Sequence, residues 1–318
     1  MLDLLGEAPL SIQATTIVAL GGHGPSVRDA VLRWADRHVE RARAAHVAHQ
    51  ALARHGEPME APYPALLVEV LSQRVAAHRD LVLAGMTVLG TAAAGGVLRR
   101  GLASPDADVR AQAIEALDSI GERRLGRALA DLADPDATGI PDRDTTLDRL
   151  RDDEDPWIRR LARRVRPHED DVTDAADGIG DLETMLQLRR VPLFERLTPE
   201  DLQRVAMVAS ERSFAPEEVL VRQGDPGDEL FVILEGRVRI VVTDDQGTSR
   251  LIRTYAEGDH IGELAVLRER PRAATMVADG GLVRTLVLDG GGLTAILRER
   301  PDAAMAMLAT LAERISAQ

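Results

Sequence analysis

The chain lacks cysteine, lysine and asparagine, and only seven of its 318 residues are aromatic. Without cysteine there is no disulfide, thiol nucleophile, zinc–thiolate site or iron–sulfur cluster, which excludes several classes of enzyme. Because lysine is absent, all 39 basic residues are arginines, and 52 acidic residues outnumber them to give a net charge of −13. This acidic balance, without a basic cluster, predicts no binding to nucleic acid.

Long hydrophobic runs are scarce as well. The uncharged run from Leu81 to Leu98 approaches the length of a membrane span, but it contains four glycines and several small residues. We therefore interpret it as a buried helical hairpin that breaks at Gly90-Thr91. The first residues lack the basic region and the long apolar stretch of a signal peptide, so we expect a cytoplasmic protein.

The residue pattern divides the chain into two domains joined by an acidic linker. Residues 1–166 place apolar residues at helical spacing, with long helices expected over 27–55 and 64–89. Residues 167–180 contain five acidic residues and no arginine, which is typical of a solvated linker, since a metal site would need regular ligand spacing. Residues 181–318 predict an antiparallel β-roll with flanking helices, because short β-rich runs alternate with Gly/Asp turns. The predicted fold class is multidomain α and β.

The elements of the second domain are expected at definite places. Helices are expected over 182–190, from Thr198 through Ala209, over 293–298, and along a longer last helix with an apolar face. Strands are expected beyond Phe214, over 219–221, 230–234, 238–242, 251–255 and 283–288.

A short pattern in the first domain occurs twice. Asp106-Ala-Asp-Val-Arg110 and Asp155-Pro-Trp-Ile-Arg159 share an acidic turn followed by an aliphatic residue and an arginine, 49 residues apart. This form resembles the helix starts of HEAT repeats, in which helix pairs stack into a solenoid. The resemblance covers about residues 90–166 and implies a HEAT-like α-helical solenoid that binds a protein partner.

The residues that point to a function lie between Gly258 and Thr275. Within a β-roll, Gly262 followed by one helical turn would expose backbone N–H groups that attract an anion. Arg272, nine residues after Glu263, would return its guanidinium to the same anion. Glu263 would then be the acceptor in a site of donors, suited to a sugar hydroxyl. Together these residues predict a site for a phosphate and a ribose.

The same residues carry a family resemblance. Gly262-Glu-Leu-Ala265 together with Pro271-Arg-Ala-Ala-Thr275 resembles the phosphate-binding cassette of the cyclic nucleotide-binding domain family. That family includes protein kinase A regulatory subunits, cyclic-nucleotide-gated channels and bacterial catabolite activators. The resemblance covers about residues 182–318 and implies the cyclic nucleotide-binding fold, since further segments match the family pattern: 191–194, 224–228, 235–238 and 258–259.

The resemblance implies a role for each residue of the cassette. Glu263 would accept the ribose 2′-hydroxyl, Arg272 would pair with the cyclic phosphate, and backbone N–H groups would complete the phosphate cradle. Members that prefer cyclic GMP often carry a threonine after the arginine, where this chain has Ala273. The implied ligand is therefore cyclic AMP rather than cyclic GMP, and no metal is implied. The expected ligand-binding residues are Gly262, Glu263, Leu264, Ala265, Arg272, Ala273 and Ala274, with the backbone donors at 264, 265 and 273.

The lid of the implied site departs from the family. The last helix of such domains often caps the base through an aromatic residue, and no aromatic residue follows Tyr255 in this chain. Leu308, Leu311 and Ile315 are then the candidate capping residues. The glycine run 290–292 before that helix would either weaken lid closure or act as its hinge.

We expect a regulatory sensor rather than an enzyme, because the sequence contains no catalytic constellation. Ligand binding would move the last helix and the segment 182–209. The alternative is a protein-interaction scaffold that keeps the fold without a nucleotide, with Glu263 and Arg272 paired to each other. HEAT-like helices followed by this domain also resemble the cytosolic tails of some bacterial transporters, which would link the chain to a membrane only indirectly. The chain ends directly after the last helix, so we expect no helix-turn-helix of a transcription regulator.

Two features have more than one interpretation. The apolar face of the last helix fits either a homodimer or packing on its own roll. His38, His46 and His49 lie on one predicted helix, where we expect surface histidines rather than metal ligands.

Overall fold

The computed structural model describes residues 10–19, 27–54, 62–89, 95–104, 106–118, 122–133, 140–168, 179–263, 266 and 271–316. By its internal contacts the chain divides into two compact units, Met1–Glu169 and Asp170–Gln318. The predicted linker at 167–180 falls mostly on residues 169–178, outside the described residues, and stays a prediction.

The N-terminal unit is helical, as the periodicity predicts. The two long helices, α2 and α3, pack against each other and end within two residues of their predicted bounds. Stacking of all the helices into a HEAT-like solenoid stays a prediction. The described helices of this unit are α1 (Leu10–Ala19), α2 (Arg28–Arg54), α3 (Pro62–Val88), α4 (Gly95–Leu102), α5 (Ala107–Asp118), α6 (Arg123–Ala133), α7 (Arg143–Leu150) and α8 (Pro156–Val165).

The uncharged run at 81–98 contributes to the core of this unit. Leu81, Val82, Leu83 and Met86 are buried at the end of α3, and Leu98 is buried in α4. The predicted break at Gly90-Thr91 lies outside the described residues. Over the described ranges, we find no helix with both the length and the apolar character that a membrane span requires.

The two similar segments of this unit begin their helices with the same hydrogen bonds. At each start, the aspartate and the side chain two residues before it accept backbone N–H groups, and the arginine reaches back to a carbonyl six residues earlier. This equivalence supports a local repeat of 49 residues. The pairs are Asp106 N–Ser104 Oγ (3.2 Å) and Asp155 N–Asp153 Oδ1 (2.8 Å), Asp108 N–Asp106 Oδ1 (2.9 Å) and Trp157 N–Asp155 Oδ1 (2.8 Å), and Arg110 Nη1–Ser104 O (2.8 Å) and Arg159 Nη1–Asp153 O (2.5 Å).

A chain of hydrogen bonds runs through the core between α1, α2 and α3. Gln13 Oε1 lies 3.1 Å from both Trp34 Nε1 and His38 Nε2, and His38 Nδ1 lies 2.9 Å from His78 Nδ1. Because the amide oxygen only accepts, His38 carries its proton on Nε2 and accepts a hydrogen bond at Nδ1 from His78. All four side chains are at most 3% exposed. This arrangement requires the His38 imidazole to be neutral, and burial lowers the pKa of His78, which favours its neutral form as well.

The expected surface position of the α2 histidines is wrong for His38. Its imidazole faces the core, where it contacts the Trp34 ring edge-on at 4.4 Å. His46 lies about two turns further along and is half-buried, with its Nε2 2.8 Å from the Gln50 side-chain amide nitrogen. Within the described ranges there is no group of three or more His, Asp or Glu residues placed to hold a metal ion.

The C-terminal unit is an antiparallel β-roll flanked by helices, which confirms the predicted fold class for this half. Two four-stranded sheets, ordered β1-β8-β3-β6 and β2-β7-β4-β5, pair only antiparallel neighbours. Its elements are α9 (Ile179–Arg189), a 3₁₀ turn (Pro192–Phe194), α10 (Pro199–Met207), β1 (Ala209–Phe214), β2 (Val219–Val221), β3 (Glu229–Glu235), β4 (Arg237–Thr243), β5 (Ser249–Ala256), β6 (His260–Ile261), β7 (Thr275–Ala278), β8 (Val283–Asp289), α11 (Gly290–Glu299) and α12 (Pro301–Ser316).

The five predicted strands are confirmed as β2, β3, β4, β5 and β8, while β1, β6 and β7 were not expected. Ala209 was placed at the end of a helix and instead begins β1, an edge strand whose residues 210–213 are exposed and carry no apolar alternation. β6 has only two residues, and β7 has four. Such short or exposed strands form because a neighbouring strand pairs with them, which local pattern does not predict.

The glycine run at 290–292 is not a loose junction, which corrects that interpretation. These glycines form the first turn of α11, where Asp289 Oδ2 accepts a hydrogen bond from Gly292 N at 2.6 Å. Gly290 N donates to Asp228 O at 2.6 Å, and a Cβ on Gly292 would lie 2.8 Å from Val208 Cγ1. The glycines therefore permit close packing of α11 against the roll.

The buried histidine pair predicts that the helical unit loses stability in mild acid. Burial lowers the pKa of His38 to about 4 and that of His78 to about 3. Nearby charges lower both values further by smaller amounts: those of Arg41 and Arg37 for His38, and those of His38, Arg74 and Arg41 for His78. The unfolded chain binds protons more tightly, with a pKa near 6.5, so stability is lost as the pH falls below that value. Urea unfolding at pH 7.5 and 5, followed by Trp34 fluorescence in a Trp157→Phe background, should show a loss of about 2–4 kcal/mol.

The matched variants separate this effect from general acid sensitivity. A His38→Gln/His78→Gln chain should lose much less stability over the same pH range, while His168→Gln, which changes an exposed histidine of the same unit, should behave like the parent. An unchanged pH dependence in the double variant would contradict the prediction.

Candidate functional site

The candidate site is the connection between β6 and β7, residues 262–274, which we call the cassette loop. It leaves the roll core at Ile261, which pairs with Phe231 of β3, and rejoins it at Thr275, which pairs with Val241 of β4. Both ends are therefore anchored in the sheets, one in each.

Gly262 begins the cassette loop in a conformation that other residues rarely adopt. Its φ is +97°, and a Cβ at this position would lie 2.8 Å from both Arg272 Nη1 and Glu229 O. A helical turn follows, in which Val266 N donates to Gly262 O at 3.4 Å. The glycine thus keeps open the space beside the Arg272 guanidinium.

Glu263 follows in the helical turn and is half-buried. Its carboxylate makes no hydrogen bond or ion pair with a described residue. Glu263 and Arg272 therefore do not form the ion pair that the scaffold alternative expects. Leu264 and Ala265 lie outside the described residues, and their expected role as backbone donors stays a prediction.

Arg272 is almost completely buried, with 3% of its surface exposed. Nη1 donates to Glu229 O at 2.8 Å, and the guanidinium carbon lies 5.6 Å from the centroid of the Phe231 ring. Nε is buried and has no hydrogen-bond partner. Burial lowers the pKa of Arg272, and the nearby charges of Glu229 and Asp228 act in the opposite direction.

No acidic side chain in the described part of the chain forms an ion pair with Arg272. Arg79, Asp80 and Asp201 also have a buried side-chain atom without a hydrogen bond, but each of them forms an ion pair. Arg79 pairs with Asp80, and Asp201 pairs with Arg300. A buried guanidinium without a counter-charge is costly. Arg272 therefore keeps one unused buried donor, Nε, and a positive charge within the cassette loop.

The turn after β2 fixes the backbone of Arg272. Gly224 N donates to Arg272 O at 2.9 Å, and Arg272 N donates to Asp225 O at 2.8 Å. Gln223 extends this contact, since its backbone N donates to Thr275 Oγ1 at 3.0 Å. The Gly-Asp turn, whose sequence resembled the family pattern, thus holds the arginine in place.

The two alanines after Arg272 differ in burial. Ala273 is exposed, and Ala274 is buried at the edge of β7. The structure thus places Gly262, Glu263, Arg272, Ala273 and Ala274 in the connection between β6 and β7, and their role in ligand binding stays a prediction.

The residues that support Arg272 were not found from the sequence. Phe231 reads as an ordinary core residue of a strand, and Glu229 contributes only its carbonyl oxygen, which every residue carries. Gln223 is an exposed polar residue beside a turn. The only available signal was the Gly-Asp turn itself.

The candidate capping residues lie on α12. Leu308 is 52% exposed and Leu311 is half-buried, while the side chain of Ile315 lies outside the described residues. Among the side chains of α12 that the structure describes, Ala303, Met307 and Thr310 are buried, so one face of the helix packs within its own unit. Leu308 is exposed on another face.

This geometry fits an oxyanion. The guanidinium has an unpartnered buried N–H, the adjacent glycine leaves room, and a helical turn starts beside it. Bidentate pairing with the oxygens of a phosphate would supply the missing charge. Glu263 is the nearby acceptor in the loop and suits a hydroxyl group of the same ligand.

Comparison with known proteins identifies this part of the chain. Residues 211–300 match the family model described as Cyclic nucleotide-binding domain, so the C-terminal part of the chain carries such a domain. Residues 1–210 lie outside that match. The HEAT-like repeat and the transporter resemblance stay predictions.

The relatives are similar to the chain over a limited length. A cAMP-dependent protein kinase regulatory subunit of Dictyostelium discoideum is 37% identical over 102 residues, which are 31% of this chain and 29% of the relative. A cGMP-dependent protein kinase, isozyme 1, of Drosophila melanogaster is 36% identical over 104 residues, 32% of this chain and 14% of the relative. The N-terminal domain of a transcriptional regulator from Streptomyces coelicolor A3(2) has 35% identity and a TM-score of 0.37, over 41% of this chain and 90% of that one. The chain spans less than a third of the length of the two kinase relatives.

Crowding at Gly262 gives a testable prediction. Gly262→Ala should destabilise the roll, because it places a Cβ against Glu229 O and Arg272 Nη1 in addition to the strain of a positive φ, which costs about 1–3 kcal/mol. Gly247→Ala is the matched control: its φ is +80°, and a Cβ there would meet nothing within 4 Å. Urea unfolding should show a larger loss for Gly262→Ala than for Gly247→Ala, and equal losses would contradict the crowding.

Proposed function

We propose that the C-terminal unit binds a cyclic nucleotide, cyclic AMP in preference to cyclic GMP, and that the chain is a regulatory sensor and not an enzyme. The observation that carries this proposal is the Arg272 guanidinium, which is buried with an unpartnered Nε and without an ion pair among the described residues. A cyclic phosphate has one negative charge and two exocyclic oxygens, which match the guanidinium fork.

The ribose supplies the second contact. Glu263 is half-buried at the start of the helical turn, close in sequence to Gly262 and without a hydrogen bond to a described residue. A carboxylate accepts hydrogen bonds, so it would repel a phosphate and bind a hydroxyl group. A ligand that joins a phosphate to a 2′-hydroxyl satisfies Arg272 and Glu263 together.

The preference for cyclic AMP rests on Ala273. Its side chain has no hydroxyl group to meet the amino group of guanine, the role that the family resemblance gives to a threonine at this position. The two kinase relatives, one named for cAMP and one for cGMP, match at nearly equal identity and so favour neither base.

The rival proposal is a scaffold whose roll binds no nucleotide. An arginine kept only for structure would be expected to have an ion pair, as Arg239 and Arg284 of the same roll do. Leaving Arg272 buried without one lowers stability and is explained by a ligand that completes the site. The sensor therefore accounts for a feature that the scaffold leaves unexplained.

Ligand binding would be transmitted through the helices of the same unit. Arg300, at the junction of α11 and α12, contacts α10 through Glu200 Oε1 at 2.9 Å and Asp201 Oδ1 at 3.0 Å. Arg204 of α10 lies 3.6 Å from Glu299 in return. Asp201 is only 2% exposed, so its carboxylate is shielded from solvent. Movement of the last helix would thus carry α10 with it.

We further propose that the helical unit binds the regulated protein partner in the cytoplasm. The repeated helix starts support this role through their HEAT-like form. A cytosolic regulatory part of a membrane transporter fits the same arrangement, with membrane contact only through the transporter.

Calorimetric titration with cyclic AMP and cyclic GMP tests the binding proposal. We expect cyclic AMP to bind more tightly, and we expect Arg272→Leu to lose about 2–5 kcal/mol of binding free energy, because a buried charge pair is removed. Without nucleotide, Arg272→Leu should melt at or above the temperature of the parent, since an uncompensated buried cation is gone. Arg284→Leu, which changes an exposed ion-paired arginine, should leave binding unchanged. A parent chain that binds neither nucleotide would favour the scaffold.

Hydrogen exchange tests the transmission. Saturating cyclic AMP should change amide protection in α12 and in residues 182–209 together. Arg300→Ala should weaken the change in α10 while the change in α12 remains, because the contacts to Glu200 and Asp201 are lost and the Arg204–Glu299 contact is kept. Arg298→Ala, two residues earlier and without an ion pair to a described residue, is the control. Unchanged hydrogen exchange in both segments of the parent chain at saturating cyclic AMP would contradict the proposed transmission.

A further inference from the structure

We propose that Phe231 is a positioning residue for Arg272: its ring face holds the guanidinium in the orientation that receives the ligand anion. This inference rests on the proposed function, because positioning matters for binding only if an anion binds there. It concerns a residue of the roll core that lies outside the cassette loop in the sequence.

The ring lies where it can perform this role. The guanidinium carbon of Arg272 is 5.6 Å from the Phe231 centroid, within the range of a cation–π contact. Phe231 has no exposed surface, so no water competes for the ring face. Ile261, its partner across the β3–β6 pair, directly precedes Gly262. The ring and the start of the cassette loop are thus fixed by the same pair of strands.

The other supports of the guanidinium are few. Glu229 approaches Arg272 through its carbonyl oxygen, while its carboxylate is engaged 2.5 Å from Arg212. Asp228 influences the Arg272 charge but forms no ion pair with it. Among the described residues, the guanidinium therefore makes one hydrogen bond to a neutral oxygen and one contact with an aromatic ring, and no ion pair. The ring alone offers a broad, electron-rich surface.

The ring itself is held rigidly. Phe231 pairs with Ile261 on one side of β3 and with Val287 on the other, and all three residues are buried in the roll core. A fixed ring limits the orientations of the guanidinium plane above it. In the ligand-free protein, the fixed ring keeps Arg272 in the orientation that can bind the ligand. If a smaller fraction of the protein has Arg272 in this orientation, the apparent Kd rises in proportion.

Phe231 also fills core volume, so a truncation would mix two roles. Fluorination separates them, because it withdraws electron density from the ring face with little change in shape. We would incorporate 4-fluoro-, 3,5-difluoro- and pentafluorophenylalanine at position 231 of the full chain. The same series at Phe214 is the matched control, since that ring is in the same core and makes no recorded contact with Arg272.

The measured quantities are the Kd for cyclic AMP and the rate constants of association and dissociation. At position 231 the Kd should rise stepwise with fluorination, reaching about 2- to 30-fold for the pentafluoro ring. Association should slow while dissociation stays constant, because the change acts on the ligand-free protein. At position 214 the Kd should stay flat. A flat series at 231, or equal series at both positions, would overturn the proposal.

A second measurement does not depend on nucleotide binding. In the ligand-free chain, the Arg272 Nε–H resonance should be visible at neutral pH and shifted by the ring, since the group is buried against it. Phe231→Leu should broaden this signal through exchange with water, and Phe214→Leu should not. A sharp signal in Phe231→Leu would also overturn the proposal. If the parent shows the expected signals but binds no cyclic nucleotide, the proposed function fails and the positioning role stands.

Discussion

The structure of the C-terminal unit depends on one constraint: a guanidinium must be kept inside the roll without an acidic partner among the described residues. Removing Arg272 from water costs free energy that an ion pair usually offsets. The surrounding residues meet this cost only in part, through one carbonyl oxygen and one aromatic ring. Backbone hydrogen bonds to the turn at 224–225 then prevent the residue from moving out to solvent. A site that holds a charge at such expense is ready for a ligand that brings the opposite charge.

The helical unit treats its buried polar groups differently, and the contrast is informative. Gln13, Trp34, His38 and His78 form a continuous chain in which the donors that face each acceptor are matched. Such a cluster needs no ligand, and protonation would only break it. Polarity in a core therefore does not by itself indicate a binding site. What distinguishes Arg272 is an unpartnered donor together with charge and adjacent space at Gly262.

The sequence predicts those features of the fold and the site that depend on residues close together in the chain. The cassette residues were predicted because they lie close together in one segment of the chain. The strands β2 to β5 were predicted because Gly/Asp turns mark their ends. Phe231 was not found, because its role is a contact between residues 41 positions apart in the chain. Ala209 was placed in the wrong element, because β1 exists through pairing with β8 and has no apolar alternation of its own. Local chemistry was predictable, and long-range support was not.

The two helix starts of the N-terminal unit show a structural feature that the local sequence does determine. Ser104 to Arg110 and Asp153 to Arg159 form equivalent hydrogen bonds, yet their helices have different neighbours. α5 packs against α4 and α6, whereas α8 packs against α3 and α7. Since the environments differ and the hydrogen bonds do not, the sequence of each segment is sufficient to set its helix start. A solenoid requires more, because the stacking faces must repeat as well as the caps. The repeated motif therefore specifies where these helices begin and leaves their stacking to the apolar faces.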